Sequence, residues 1–515
     1  MAITYSVGVD GDDDGVIGWG DFDGDDFTQA VIALEWRLGL AQPYDSMAAL
    51  STATITLRNQ NRRFSPEQNA ASLLPGRTLQ IRSHDGTTQR VHFTGVIQRV
   101  EPLAGDQGQR SAIIHVQGAE AQLSQHRIRL PPQVSQRADQ VINAVLDAVP
   151  LRRRVLAGRW VLGLAGYSEL GTSTRLPDIT IPRSLEAGQS TFAYAADTWH
   201  TGIAASAAIG EMAEAERGRF FINREGGAVF YNRHHLLMDT NAQATFNDDM
   251  RGLDYAYGEE VVSRVQVNVI PRRIGAQGSV LWRLENAQAV PAASSQRLIA
   301  HFRDEDKRPV GALSLAQIMP GVDYQVNTQA DGLGSDLTAQ VTITVVEAGF
   351  SAAVLEIRNT SRRDAFVLPG LELRGTPVLQ GEPVTVEQAS LYAQAFYGSN
   401  TVSLDLPVLD SIEQADQIAR FELARRERPR GVVRALMLDA HTHPQAALAL
   451  TLFDRITLAE SQTAHSADYF IVAEAHRVDH GGARHHVTWT LESASANTFW
   501  LLGQHRVNMD TVLAY

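Results

Sequence analysis

The chain has 515 residues, 44% hydrophobic and 20% charged, with a net charge of −13 and no cysteine. That length exceeds one ordinary core and implies three or four domains of globular composition. The negative charge argues against sequence-independent nucleic-acid binding, and the lack of cysteine excludes disulfides, thiolate zinc sites and cysteine nucleophiles, as suits a reducing cytoplasm.

The N-terminal MAITYSVGVDGDDD lacks a basic region followed by an apolar run, so no signal peptide is expected, and no apolar stretch approaches a membrane span. Asp10, Asp12, Asp14 and Asp21, with Gly15 at the sixth position, fit a calcium-loop spacing. The twelfth ligand is Asp instead of the bidentate Glu and the flanks read as strands, so an acidic solvated hairpin loop is the favoured reading. Residues 52–101 read as three strands: Ala53, Ile55 and Leu57 alternate with polar residues, Leu79 and Ile81 follow a Pro75-Gly76 turn, and Val91 and Phe93 follow Asp85-Gly86. No catalytic logic explains the connecting loop, NQNRRFSP (59–66).

Another strand covers 112–118, and Pro131-Pro132 marks a boundary. Ser135 is expected to cap a helix with Val141, Ile142, Val145, Leu146 and Val149 on one face, stopped by Pro150. A second helix is expected over 201–217, then a hairpin turning at Glu225-Gly226-Gly227 and a strand over 261–270. From about 271 to 407 the short β patterns predict a small all-β insert. Ser411 opens a helix with Gln414 at the capping-box spacing and Ile412, Ala415, Ala419 and Leu423 as its apolar stripe. Strands return over 431–492.

His234-His235 and His485-His486 would face opposite sides of a strand, and His441 and His443 end in a loop at Pro444, so surface or satisfied histidines are expected. Tyr255, Tyr257, Tyr392, Phe396 and Tyr397 form either a carbohydrate platform or, at β spacing, core and interface packing, the favoured reading. Arg152-Arg153-Arg154, Arg362-Arg363 and Arg425-Arg426 are expected to be solvated or interface charges. No G-x-S-x-G, H-E-x-x-H or P-loop motif occurs, and the 58 acidic residues single out no pair, so no enzyme is expected.

Several segments together resemble tailed-bacteriophage tail-tip or baseplate hub proteins (minor tail proteins): NQNRRFSP and PGRTLQI (59–66, 75–81), GLDYAYGEEVVSRVQVNVIPRR (252–273), RNTSRRDAFVLPGLELRG (358–375), ELARRERPR (422–430), and DRITL with YFIVAEAHRVDH (454–458, 469–480). The resemblance covers most of the chain in order. It implies a mainly β fold with α+β inserts: a first tube-like β-barrel (1–130), an α/β insert (131–215), a second barrel (216–270 plus 400–495), a β-sandwich insert (271–399) and a tail (496–515). It further implies a homotrimer at the virion tail tip, assembled in the host cytoplasm. Its expected partners are the tail tube, distal tail proteins, the tape-measure protein and a tail fibre or receptor-binding protein; neither a cofactor nor sequence-specific nucleic-acid binding is expected. Arg58, Arg62 and Arg63 become expected subunit contacts. A virion-associated glycan-binding or glycan-cleaving β protein is the alternative.

Overall fold

The computed structural model describes residues 3–10, 17, 27–60, 62–65, 67, 73–105, 110–131, 133–149, 182–197, 199, 202–494, 498–499 and 511–512. The fold is mainly β with α+β inserts, as expected from the sequence. Twelve strands form one sheet: β1 (Thr4–Val9), β2 (Val31–Gly39), β3 (Thr52–Arg58), β4 (Thr78–His84), β5 (Gln89–Leu103), β6 (Ser111–Gln117), β7 (Ala244–Phe246), β8 (Gly252–Tyr257), β9 (Gly431–Asp439), β10 (Arg455–Glu460), β11 (His465–Asp479) and β12 (Arg484–Ser493).

The sheet contains one six-stranded motif twice. The first half runs β1-β4-β5-β6-β3-β2 and the second β7-β10-β11-β12-β9-β8, so each strand has a counterpart six places on. Register repeats with order. β5 and β11, each 15 residues long, bulge between Ile97 and Arg99 against β6 and between Ile471 and Ala473 against β12. The Gly76 N–H donates to Ile97 O at 2.8 Å, and its counterpart Phe453 N–H donates to Ile471 O at 2.6 Å. β2 ends on Gly39 at φ 106°, and Gly258 at φ 78° follows β8, a region where side chains are strained. Strand direction differs at one pairing, β1 being antiparallel to β4 and β7 parallel to β10, and the bulge of β4–β5 between Ile81 and Arg82 has no counterpart in β10–β11.

Of the two barrels expected, the structure thus shows two motifs fused edge to edge. Among the described residues the hydrogen-bonded path does not return on itself. Alternating residues such as Ile55, Leu57, Leu79 and Ile81 are fully buried, and they share one core with Leu436, Ile456 and Trp489 of the second motif.

A second core gathers helices α1 (Ala138–Ala148), α2 (Ala205–Glu216) and α3 (Ile412–Arg426) with strands Arg264–Val269 and Thr401–Leu406. A third lies inside the antiparallel sheets that carry Ser279–Arg283, Ser295–His301, Val341–Ala348, Ala352–Asn359 and Glu372–Gln380. Two helix starts differ in detail from expectation. Ser135 sits in a strand (Gln133–Arg137) at φ 51°, and α1 begins instead after Arg137, whose N–H donates to Gln140 Oε1 at 2.9 Å. Ser411 does cap α3, accepting from Gln414 N–H at 3.2 Å, but Ile412 is exposed and Ile418 fills the stripe, because the helix docks by its 415/418/419 face.

Candidate functional site, the joint between the two motifs

The motifs meet where β2 pairs with the second half of β11, from Leu34 opposite Val478 to Gly39 opposite Ala473. Strand alternation sends Trp36, Glu474 and His476 inward, where apolar residues would ordinarily sit. Trp36 stacks on His476 with ring centroids 4.6 Å apart and planes at 8°. A polar line then crosses the joint: Tyr5 OH lies 2.7 Å from His485 Nδ1, and His485 Nε2 lies 2.9 Å from His476 Nδ1. His476 Nε2 is 3.5 Å from Glu474 Oε2, and Arg224 Nε donates to Glu474 Oε1 at 2.8 Å. Arg224, at the turn of the expected hairpin, also donates to the carbonyls of Leu448 and Leu450 at 3.0 and 2.6 Å. Nearby, His92 Nε2 lies 2.7 Å from Ser83 Oγ.

Burial holds His92, His476 and His485 below the ordinary histidine range, so the three imidazoles are neutral at pH 7. Burial alone would raise Glu474, but Arg224 outweighs it and keeps the carboxylate ionised far below its usual range. The joint is therefore a buried seam of neutral imidazoles with one ion pair, Arg224 with Glu474.

A second buried network ties the helical core to the sheet. Arg217 and Arg426 each contact Glu422 at 2.7 Å, while Arg219 and Arg425 contact Glu492 on β12 at 3.1 and 3.3 Å. Tyr44, in the loop after β2, donates its N–H to Glu492 at 2.9 Å and lies under the guanidinium of Arg425 at 4.8 Å. Arg425 and Arg426 were expected as solvated or interface charges; their side chains are 14% and 13% exposed, because α3 turns them onto buried carboxylates of the same chain.

The loop of 59–66 acquires a physical account. Asn59 Oδ1 accepts from Phe64 N–H at 3.0 Å, which folds the loop back and drops Phe64 into the core. Arg58, Arg62 and Arg63 are left exposed, Arg62 at φ 57°, with the Arg63 guanidinium 5.6 and 5.3 Å from the rings of Phe27 and Phe64. Of the calcium-loop residues, Asp10 is buried with its N–H on Thr78 O at 2.9 Å, and Asp12, Asp14 and Asp21 lie outside the described residues. Among the described residues no three His, Asp or Glu side chains gather as a metal site.

His485 and His486 do face opposite ways, but His235 begins a short helix, stacks on Tyr231 and lies 2.6 Å from Glu186. Of the residues expected as core and interface packing at β spacing, Tyr255 and Tyr257 lie on β8, where Tyr255 packs partly buried against the first core and Tyr257 is exposed. Tyr392, Phe396 and Tyr397 share a short helix, Leu391–Tyr397, and are exposed, so these three and Tyr257 are not core residues. Arg362 and Arg363 are exposed, and Arg152-Arg153-Arg154 lie outside the described residues. Among the described residues no helix is long and apolar enough to cross a membrane. Sequence reasoning missed Tyr5, Trp36, His92 and His476. The available signal was Glu474 and His476 at alternate positions of an otherwise apolar strand face.

No family model and no curated protein matches this sequence. Among solved structures, the chain is similar to a tail protein from Neisseria meningitidis MC58, with 8% identity, TM-score 0.48, and 96% of this chain and 97% of that one covered. It is also similar to a 43 kDa tail protein of prophage MuSo2 from Shewanella oneidensis (9% identity, TM-score 0.46, 96% and 99% covered). A third similarity is to the prophage tail protein gp18 from Listeria monocytogenes EGD-e (7%, 0.41, 95% and 94%).

Proposed function

We propose that this chain is a structural virion protein, a tail-tip or baseplate hub that caps or extends the tail tube and anchors tip proteins or fibres for host attachment and DNA delivery. The observation that carries this reading is the duplicated six-stranded motif joined edge to edge in one sheet. The ordered sequence segments support the same conclusion. A hub bears load between a tube and the parts below it, and a sheet continuous across two motifs, pinned by buried ion pairs, suits that task.

In this reading the protein is a homotrimer, so that six motifs meet a six-fold tube, and it contacts the tail tube, distal tail proteins, the tape-measure protein and fibres. It performs no chemistry; its action is mechanical. A net charge of −13 lets DNA pass without adhering. Light scattering on the purified chain, with electron microscopy of particles labelled for it, tests the proposal. The expected result is a three-chain mass and label at the tail tip. A monomer at all concentrations, or label absent from the tail, overturns it.

A further inference from the structure

The internal duplication points to the strands through which copies of this chain meet. Inside the chain, β2 lies along the second half of β11. The counterpart of β2 is β8, and the counterpart of that half of β11 is the end of β5. Both lack a neighbour on the corresponding side: among the described residues β8 pairs only with β9, and β5 beyond Ile97 pairs only with β6. One chain thus carries one copy of this joint made and both halves of a second one open.

We propose that β8 of one copy pairs antiparallel with residues 98–104 of the next, in the register of the joint inside the chain. This rests on the oligomeric hub reading and names its contact. Matching Gly258 to Gly39 and Ile97 to Ile471 puts Leu253 opposite Ala104, Asp254 opposite Leu103 and Ala256 opposite Glu101. The backbone directions follow too. Val472 O accepts from Leu40 N–H at 2.8 Å, so residues 474, 476 and 478 turn their peptide groups to β2, and Val100, Pro102 and Ala104 turn theirs to the open side.

The open edges have the character of surfaces that await a partner and resist a wrong one. Leu103 is 44% exposed at one edge and Tyr257 is 70% exposed at the other. Pro102 stands where His476 stands in the closed joint. It offers a carbonyl but no N–H, which blunts indiscriminate strand addition while leaving Val100 free to bond. The pairing is head-to-tail, so it closes as a ring when the rotation allows and otherwise propagates.

The chain has no cysteine, so engineered thiols report contact directly. Asp254→Cys with Leu103→Cys places one thiol on each edge at a non-hydrogen-bonded pair, where Cα atoms lie about 4.5 Å apart, within disulfide reach. Ala256→Cys with Glu101→Cys is a second pair at the next such position, kept in case the first fails to fold. On mild oxidation of the full chain, either pair is expected to convert most of the protein into covalent oligomers on non-reducing gels. The register-shifted pair, Asp254→Cys with Arg99→Cys, is expected to leave it as single chains. A three-chain mass by light scattering without these cross-links, or with equal linking by the shifted pair, overturns the strand pairing and leaves the hub reading intact. A monomer that never cross-links overturns both.

Discussion

The first and second motifs share strand order and the bulge of their longest strand, yet their matching positions carry different chemistry. After the bulge, β11 places Glu474 and His476 where β5 places Val100 and Pro102. β11 is covered there by β2 and by the Arg224 hairpin, so its polar groups are buried and Glu474 is paired with Arg224; β5 is open there, and its residues are half-buried or exposed. The far ends differ likewise. Glu492, on β12, is buried against Arg219 and Arg425, whereas Glu120, just past β6, is buried with Ser51 Oγ at 2.6 Å and, among the described residues, no cation beside it. The shared backbone sets where a side chain goes. Which edge is closed, and by what, sets what that side chain can be.

The contrast breaks most sharply at Arg224. Arg224→Ala would leave Glu474 buried and unpaired and strand the Leu448 and Leu450 carbonyls. Removing one member of a buried pair costs about 3–5 kcal/mol, and that loss is expected in urea unfolding of the variant at pH 7. A loss below about 1 kcal/mol would mean that the joint is held by strand pairing and Trp36 packing alone.

The two glutamates give a pH test of opposite sense. Burial pushes the Glu120 carboxyl up to about 7 from its ordinary 4.5, with Ser51 only partly offsetting it. A carboxyl raised by folding stabilises the fold when protonated, and that contribution is lost as pH rises from about 4.5 through 7. Glu120→Gln is therefore expected to stabilise the protein above pH 7 by about 1–3 kcal/mol, because the ionised form no longer has to be buried, and to change little below pH 4.5. For Glu492, burial raises the carboxyl but Arg219 and Arg425 more than reverse this, so its contribution is present above pH 4.5 and is lost as pH falls. Glu492→Gln is expected to destabilise at pH 7. Melting temperatures of both variants across pH 4.5 to 8 check the pair of signs, and parallel curves for the two would sink the distinction.

Much of the sheet was legible because half-buried strands announce themselves by alternation, as Ala53, Ile55 and Leu57 do within a single strand. The helix at 411 was legible through Ser411 and Gln414, which act locally. The joint was not. Trp36 and His476 lie far apart in sequence, and nothing in their local pattern says that they stack; only the pairing of β2 with β11 brings them together. The duplication was expected only through the family resemblance and not from the residues themselves, since matching positions such as Val100 and Glu474, or Pro102 and His476, share backbone geometry and no side-chain chemistry. Local rules also misplaced the aromatics of 392–397, whose spacing suits either a strand or one face of a short helix.

The smallest expected effect concerns the connection between the third and fourth strands of each motif. In the second motif that connection carries a short helix, Pro444–Ala449, with Ala447 and Leu448 buried; in the first it is the loop held by Asn59 and Phe64. Within the described part of the loop, Ser65 N–H donates to Arg62 O at 3.0 Å, and Arg63 over Phe27 and Phe64 braces the same turn from outside. Exposed contacts of a guanidinium with an aromatic face are worth about 0.5–1 kcal/mol, and Arg63→Ala is expected to lose that much in urea unfolding of the single chain. Arg62→Ala, whose exposed side chain leaves the loop outward, is expected to fall within about 0.5 kcal/mol of the parent. If both arginines instead change the mass measured by light scattering and leave unfolding untouched, the loop belongs to the contact between copies. If both change unfolding equally, the arginines act as one structural unit, and the distinction drawn between them fails.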